Sequence, residues 1–66
     1  SEQAELIRNY LQEREKITAK EVEKLLEIKK SWTREILKKL IEQKIISRKG
    51  SGPKTYYVLY ELSNAR

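Results

Sequence analysis

Residues 44–60, KIISRKGSGPKTYYVLY, decide the fold of this chain. The apolar, β-branched and aromatic residues at 45–48 and 55–60 are typical of strands, and the glycine-proline segment between them predicts a hairpin turn. The residues before this stretch have helical spacing instead. The sequence therefore predicts an α+β fold in which three helices are followed by a C-terminal β-hairpin.

Both faces of the second strand are apolar. Alternation places Tyr57 and Leu59 on one face. A hairpin with one wet face does not need a second apolar face, so we expect something to cover it. Two interpretations stay open: the first helix covers it, or a neighbouring domain or second copy docks there through Tyr56, Val58 and Tyr60.

Three helical segments precede the hairpin. Residues 4–15 carry an apolar stripe at i, i+1, i+4 and i+5. The second helix starts after Thr18, with Glu21 completing a capping box, and Ile17 before it is expected to add a short strand. Their inward residues are predicted to be Leu6, Ile7, Tyr10 and Leu11 in the first helix, and Ile17, Val22, Leu25, Leu26 and Ile28 around the second.

The third helix is predicted over residues 32–44, with Ser31 as its N-cap. Only EIKK, residues 27–30, separates it from the second helix, so the two must meet at a sharp angle. Its inward stripe is predicted to be Thr33, Ile36, Leu37, Leu40 and Ile41.

Composition excludes several classes of function. The chain has 66 residues with no cysteine and no histidine, which rules out disulfides, cysteine nucleophiles and the common zinc sites. GSGPK is too short for a phosphate-binding loop, and no paired acids mark a cleft, so we expect neither an enzyme nor a bound cofactor or metal. No apolar run approaches the ~18 residues of a membrane span. We expect a cytoplasmic single domain, residues 1–66, taken from a longer protein.

Charge is unevenly distributed along the chain. Residues 1–28 have a net charge of −2, whereas residues 29–54 carry nine Lys or Arg against Glu35 and Glu42, a net charge of +7. This asymmetry favours a polyanionic partner on one side of the fold. A solvated lysine surface is the other interpretation, and charge alone does not separate them.

One family resemblance covers residues 17–59, ITAKEVEKLLEIKKSWTREILKKLIEQKIISRKGSGPKTYYVL. This segment resembles bacterial and archaeal winged helix-turn-helix domains. Its ending, GPKTYYVL, is most similar to the C-terminal winged helix of RecG-related, helicase-type proteins, and similar domains close some Fic-family proteins. Any ATP-driven or nucleotide-dependent regulatory activity of such a parent protein would lie outside these residues.

Two positions depart from the family pattern. Lys44 stands where the family usually has a glycine, because that residue takes a left-handed conformation. Thr33 stands where a buried valine is usual. The first change is expected to cost on the order of 1 kcal/mol, unless the helix ends differently.

The resemblance implies that the third helix enters the major groove of DNA and that the hairpin, the wing at residues 45–60, contacts the backbone or the minor groove. With Leu37 facing the core, 100° per residue places Trp32, Glu35, Lys39 and Glu42 near the centre of the outward face. Arg34 and Lys38 then lie on its flanks. The candidate nucleic-acid-binding residues are Lys30, Ser31, Trp32, Arg34, Glu35, Lys38, Lys39, Arg48, Lys49 and Lys54.

These residue types suit different contacts. Arg34 can pair with guanine, while Ser31 and Lys38 suit phosphates or bases. An exposed Trp32 marks a contact site, unless it packs sideways against the turn or the wing. Glu35 can accept a hydrogen bond from cytosine, yet acids on this face favour backbone contacts over base reading.

The wing combines small residues with cations. Gly50, Ser51 and Gly52 let its backbone approach a phosphate strand closely, beside Arg48, Lys49 and Lys54. The sequence therefore predicts a double-stranded DNA-binding module. Two alternatives stay open: a protein-interaction module using Trp32, Tyr56 and Tyr60, or a binder of structured RNA or DNA junctions.

Overall fold

The computed structural model describes residues 2–63. Its element order is the α+β winged helix-turn-helix arrangement that the sequence predicted, with three helices followed by an antiparallel hairpin. A short helix that the sequence did not predict follows the hairpin. The elements are α1 Glu2–Glu13, α2 Ala19–Leu26, α3 Lys30–Glu42, β1 Ile46–Lys49, β2 Tyr56–Leu59 and α4 Tyr60–Ser63.

One apolar core joins the three long helices and the hairpin. Helix α2 packs against α1 and α3, while α1 also reaches β2 and α3 reaches β1. Most of the predicted inward residues lie in this core, because each element buries one stripe or one face. The buried apolar residues are Ile7, Leu11, Ile17, Val22, Ile36, Leu37, Leu40, Ile46 and Leu59.

Two predicted inward residues are exposed. Leu6 is 46% exposed, because α1 turns Ile7 and Leu11 toward the core and Leu6 lies about 100° from Ile7. Ile41 is 36% exposed at the edge of the α3 stripe. Tyr10, Leu25, Leu26 and Ile28 are half-buried against the core.

The start of α2 is capped as predicted. The Glu21 backbone N–H donates to Thr18 Oγ1 at 3.2 Å, and the Thr18 N–H donates to Glu21 Oε1 at 2.8 Å. This reciprocal pair satisfies two backbone donors that a helix start leaves without partners. The capping box therefore fixes where α2, the first helix of the helix-turn-helix unit, begins.

The turn between α2 and α3 explains why the predicted Ser31 cap is wrong. Glu27 adopts the left-handed conformation, φ 56°, and the N–H groups of Glu27 and Ile28 both donate to the Glu23 carbonyl. This closure of α2 leaves only three residues, 27–29, between the two helices. Helix α3 consequently begins at Lys30, with Lys29 as an N-cap that makes no side-chain hydrogen bond.

The end of α3 confirms the prediction for Lys44. Its φ is 60°, the left-handed conformation that glycine usually supplies. The Ile45 N–H donates to the Leu40 carbonyl at 2.9 Å, the six-residue closure of a Schellman motif. The helix itself stops at Glu42, two residues before the predicted end at 44.

The hairpin is tied to the helices by a third backbone segment. Strands β1 and β2 pair antiparallel from Ile46 with Leu59 to Lys49 with Tyr56. Ile17 and Tyr57 exchange two backbone hydrogen bonds, of 3.0 and 2.8 Å, so the predicted strand at Ile17 is a single bridge. The wing is therefore anchored just before α2.

The second strand is shorter than predicted, since Tyr60 belongs to α4. Its N–H donates to the carbonyl of Ile45, the residue just before β1. Helix α1 lies against β2, so the first helix does pack on the hairpin. Tyr56 and Val58 are nevertheless only half-buried.

Thr33 carries a buried hydroxyl without a partner among the described residues. The side chain is 1% exposed, and its Oγ1 makes no hydrogen bond. We expect Thr33→Val, which keeps the shape and removes the hydroxyl, to raise the free energy of unfolding by about 1 kcal/mol. Urea unfolding followed by circular dichroism measures this change.

Thr18→Val is the matched control, because it removes a hydroxyl that does have a partner. Losing that cap should lower the free energy of unfolding by about 0.5–2 kcal/mol. Destabilisation by Thr33→Val would show that the Thr33 hydroxyl does have a partner.

Candidate nucleic-acid interface

Helix α3 is rotated relative to the sequence prediction. Its buried residues are Thr33, Ile36, Leu37 and Leu40, whose mean direction lies roughly 50° from Leu37 at 100° per residue. The exposed Ser31 and Lys38 therefore lie nearer the centre of the outward face than was predicted. Trp32 and Arg34, which are two residues apart and roughly 200° around the helix, lie on opposite flanks.

The Arg34 flank forms one wall of a groove that we call the α3–wing groove. Four cations line it: three from α3, spaced four residues apart, and one from β1. Residues Leu37 and Tyr57 contribute to its floor. The groove-lining cations are Lys30, Arg34, Lys38 and Arg48.

The wing points its cations in different directions. Arg48 is paired with Tyr57, and both line the groove, two residues along from the buried pair Ile46 and Leu59. Lys49 comes next on β1 and therefore projects from the opposite face of the hairpin. Lys54 lies in a 3₁₀ turn, Gly52–Lys54, at the exposed tip. Of the three wing cations, the structure brings only Arg48 into the groove.

The tip holds its shape through glycine and one side chain. Gly50 and Gly52 both have positive φ, of 75° and 54°. A Cβ added to Gly50 would lie 2.4 Å from the Lys54 carbonyl oxygen, whereas one added to Gly52 meets nothing within 4 Å. Thr55 Oγ1 donates to the Gly52 carbonyl at 2.8 Å. The small-residue segment that was predicted to approach a phosphate strand is thus a compact turn.

The groove cations have no acidic partners of their own. Among residues 2–61, none of the four comes within 4.0 Å of a carboxylate oxygen; the surface pair of Arg14 with Glu13 is 3.8 Å long. Glu23 and Glu42 also line the groove, so it is cationic without being purely basic. Charges that have no internal partner are available to an external anion.

The other flank of α3 carries Trp32. This side chain is 53% exposed and borders a hollow of about 310 Å³, which we call the Trp32 hollow. Gln3 of α1 lies at its edge. Glu35 and Lys39, both predicted site residues, lie here too and not in the groove.

The aromatic residues of the second hairpin face lie elsewhere. Lys16 Nζ lies 5.0 Å above the centre of the Tyr56 ring, a cation–π contact on the side of the wing that also carries Lys49. Neither Tyr56 nor Tyr60 lines the Trp32 hollow.

Sequence reasoning missed several groove residues. Ala19 and Glu23 enter from α2, Tyr57 from β2, and Thr55 from the residue just before β2. Tyr57 shares a strand face with Leu59, and Arg48 shares one with Ile46. Pairing the apolar residues Ile46 and Leu59 would therefore have placed Arg48 beside Tyr57 in the groove. The contribution of α2 had no signal in the sequence, because it depends on how the helices cross.

Comparison of the chain with protein-family models, curated proteins and solved structures found no match. Within residues 2–63, no helix is long and apolar enough to cross a membrane. The same part of the chain contains no group of three or more Asp or Glu side chains placed to hold a metal ion. The geometry of the α3–wing groove is therefore the main basis for a functional conclusion.

Proposed function

We propose that this domain is a cytoplasmic binding module for double-stranded DNA, which it holds in the α3–wing groove. One observation carries the proposal: Lys30, Arg34 and Lys38 of α3 meet Arg48 of β1 in one groove, and none has an internal ion-pair partner within the described residues. Cations that converge from two elements on one groove are the electrostatic footprint of nucleic-acid binding. The resemblance of residues 17–59 to winged helices supports the same proposal.

Phosphate contacts account for most of the proposed binding. Lys30 and Lys38 present point charges four residues to either side of Arg34, so all three lie in one row along α3. Glu23 and Glu42 in the same groove disfavour a close fit of many base edges. Arg34 is the one groove residue on α3 with the planar fork that pairs with guanine. We therefore infer weak sequence preference and strong dependence on salt.

Two neighbouring residues of the wing test where the DNA lies. Arg48→Gln and Lys49→Gln each remove one positive charge, but only Arg48 lines the groove. We expect Arg48→Gln to lower the affinity for a random duplex roughly fivefold to tenfold at 0.1 M salt, and to reduce the log–log salt slope by about one. Lys49→Gln should change the affinity less than twofold.

Fluorescence anisotropy with a labelled duplex measures both effects, and hairpin RNA and single-stranded DNA serve as competitors. Equal losses for the two variants would show that the wing acts only through total charge. If hairpin RNA or single-stranded DNA binds more tightly than the duplex, that nucleic acid is the ligand and duplex DNA is not.

A further inference from the structure

The Trp32 hollow is a second surface, on the flank of α3 that faces away from the groove. Its floor is apolar, formed by Ile36 and Leu40, which are 8% and 4% exposed. Trp32 stands half-exposed at one end and Gln43 lies near the other. Leu6, also exposed, is one helical turn along α1 from Gln3. Exposed large apolar side chains around a hollow indicate a contact surface more often than a solvated one.

The charges on this flank cancel. It carries Glu35 and Lys39, whereas the four groove cations lie on the other side of the helix. Glu35 and Lys39 are spaced four residues apart, the distance at which helix ion pairs form, yet they make no ion pair with each other within 4.0 Å. Both charges are therefore free to pair outside the chain.

This arrangement is complementary to itself. If two α3 helices pack antiparallel through the Trp32 flank, about a two-fold axis at the level of residue 37 along the helix, position 35 of one copy faces position 39 of the other. Glu35 then meets Lys39 twice, once on each side of the axis. Helical side chains lean toward the N-terminus of their own helix, so each Trp32 reaches the Gln43 end of the other copy's hollow.

We propose that the Trp32 flank is a self-association surface whose occupant is a second copy of this chain. The α3–wing groove lies on the opposite flank of α3, so the contact leaves all four groove cations uncovered and apart from the interface. A single helix face is a small interface, at the lower limit for specific association. We therefore expect a weak dimer, with a Kd of about 10–100 μM.

Charge exchange separates this contact from a general effect of net charge. Glu35→Lys makes the chain more basic and Lys39→Glu makes it less basic, so net-charge repulsion alone would weaken association in the first and strengthen it in the second. Reciprocal pairing predicts that each single exchange weakens association at least tenfold. The double variant Glu35→Lys/Lys39→Glu should return to within about threefold of the unmodified chain.

Sedimentation equilibrium without DNA, from 10 μM to 1 mM at 0.15 M salt, measures these effects independently of the proposed function. Trp32→Ala should also weaken the dimer at least tenfold, while Glu13→Lys, the same charge change as Glu35→Lys but at the end of α1, should have little effect. Circular dichroism shows that each variant is folded. A monomer at 1 mM, a double variant that stays monomeric, or an unaffected Trp32→Ala variant would overturn the proposal.

Discussion

Neutralising the row of cations on α3 is expected to remove most of the affinity for DNA. The triple variant Lys30→Gln/Arg34→Gln/Lys38→Gln should bind a random duplex roughly 100- to 1000-fold more weakly at 0.1 M salt. Its salt slope should fall by about three, since three of the four groove cations are lost. All three side chains are exposed, so the fold should survive the change.

A control variant on the other helices separates groove contacts from total charge. Arg8→Gln/Arg14→Gln/Lys24→Gln removes the same charge from exposed positions outside the groove. We expect this variant to lose less than about fivefold in affinity and to keep its salt slope, because none of the three side chains lines the groove and salt screens exposed charges that do not touch the DNA. Equal losses in the two triple variants would show that DNA does not lie in the α3–wing groove.

Gly50→Ala is expected to have the largest effect on stability at the tip of the wing. The new Cβ would lie 2.4 Å from the Lys54 carbonyl oxygen, a backbone atom, at a φ of 75°. Backbone at this turn must shift, at a cost of about 2–4 kcal/mol. For a 66-residue domain this is a large part of the total stability. Urea unfolding and amide exchange of the hairpin measure the loss.

Gly52→Ala provides the matched comparison at the same turn. Its φ of 54° is also left-handed, but an added Cβ meets nothing within 4 Å. The cost should therefore be only the local strain of about 1 kcal/mol. If the two alanine variants are equally stable, the close approach of Gly50 to Lys54 does not hold the tip together.

Local signals in the sequence were sufficient for most elements of the fold. Thr18 and Glu21 marked the start of α2, because a capping box needs only residues that are close in the chain. For Lys44 the left-handed conformation was expected from the family resemblance, in which a glycine usually stands at this position. The predicted N-cap of α3 was wrong because it depends on residues outside the helix. Ser31 has the right chemistry, but the left-handed Glu27 turns the chain earlier, and glutamate gives no signal for that conformation.

The candidate site was harder to predict, because it depends on rotation and register. Taking Leu37 as the inward direction placed Trp32 and Lys39 with Glu35 at the centre of one binding face. Packing against α2 and β1 rotates α3 enough to set Trp32 and Arg34 on opposite flanks. Likewise, Arg48, Lys49 and Lys54 formed one basic cluster in the sequence. Strand alternation places Arg48 and Lys49 on opposite faces of the hairpin, and Lys54 lies in the turn at its tip.

The salt dependence of DNA binding tests the central claim most directly. A random labelled duplex is titrated with the unmodified domain at salt concentrations between about 50 and 300 mM. Four phosphate contacts in the groove, with further contacts from the wing tip, predict a log–log slope of roughly −3 to −6. A flat response, or no binding even at the lowest salt concentration, would contradict duplex binding by the α3–wing groove.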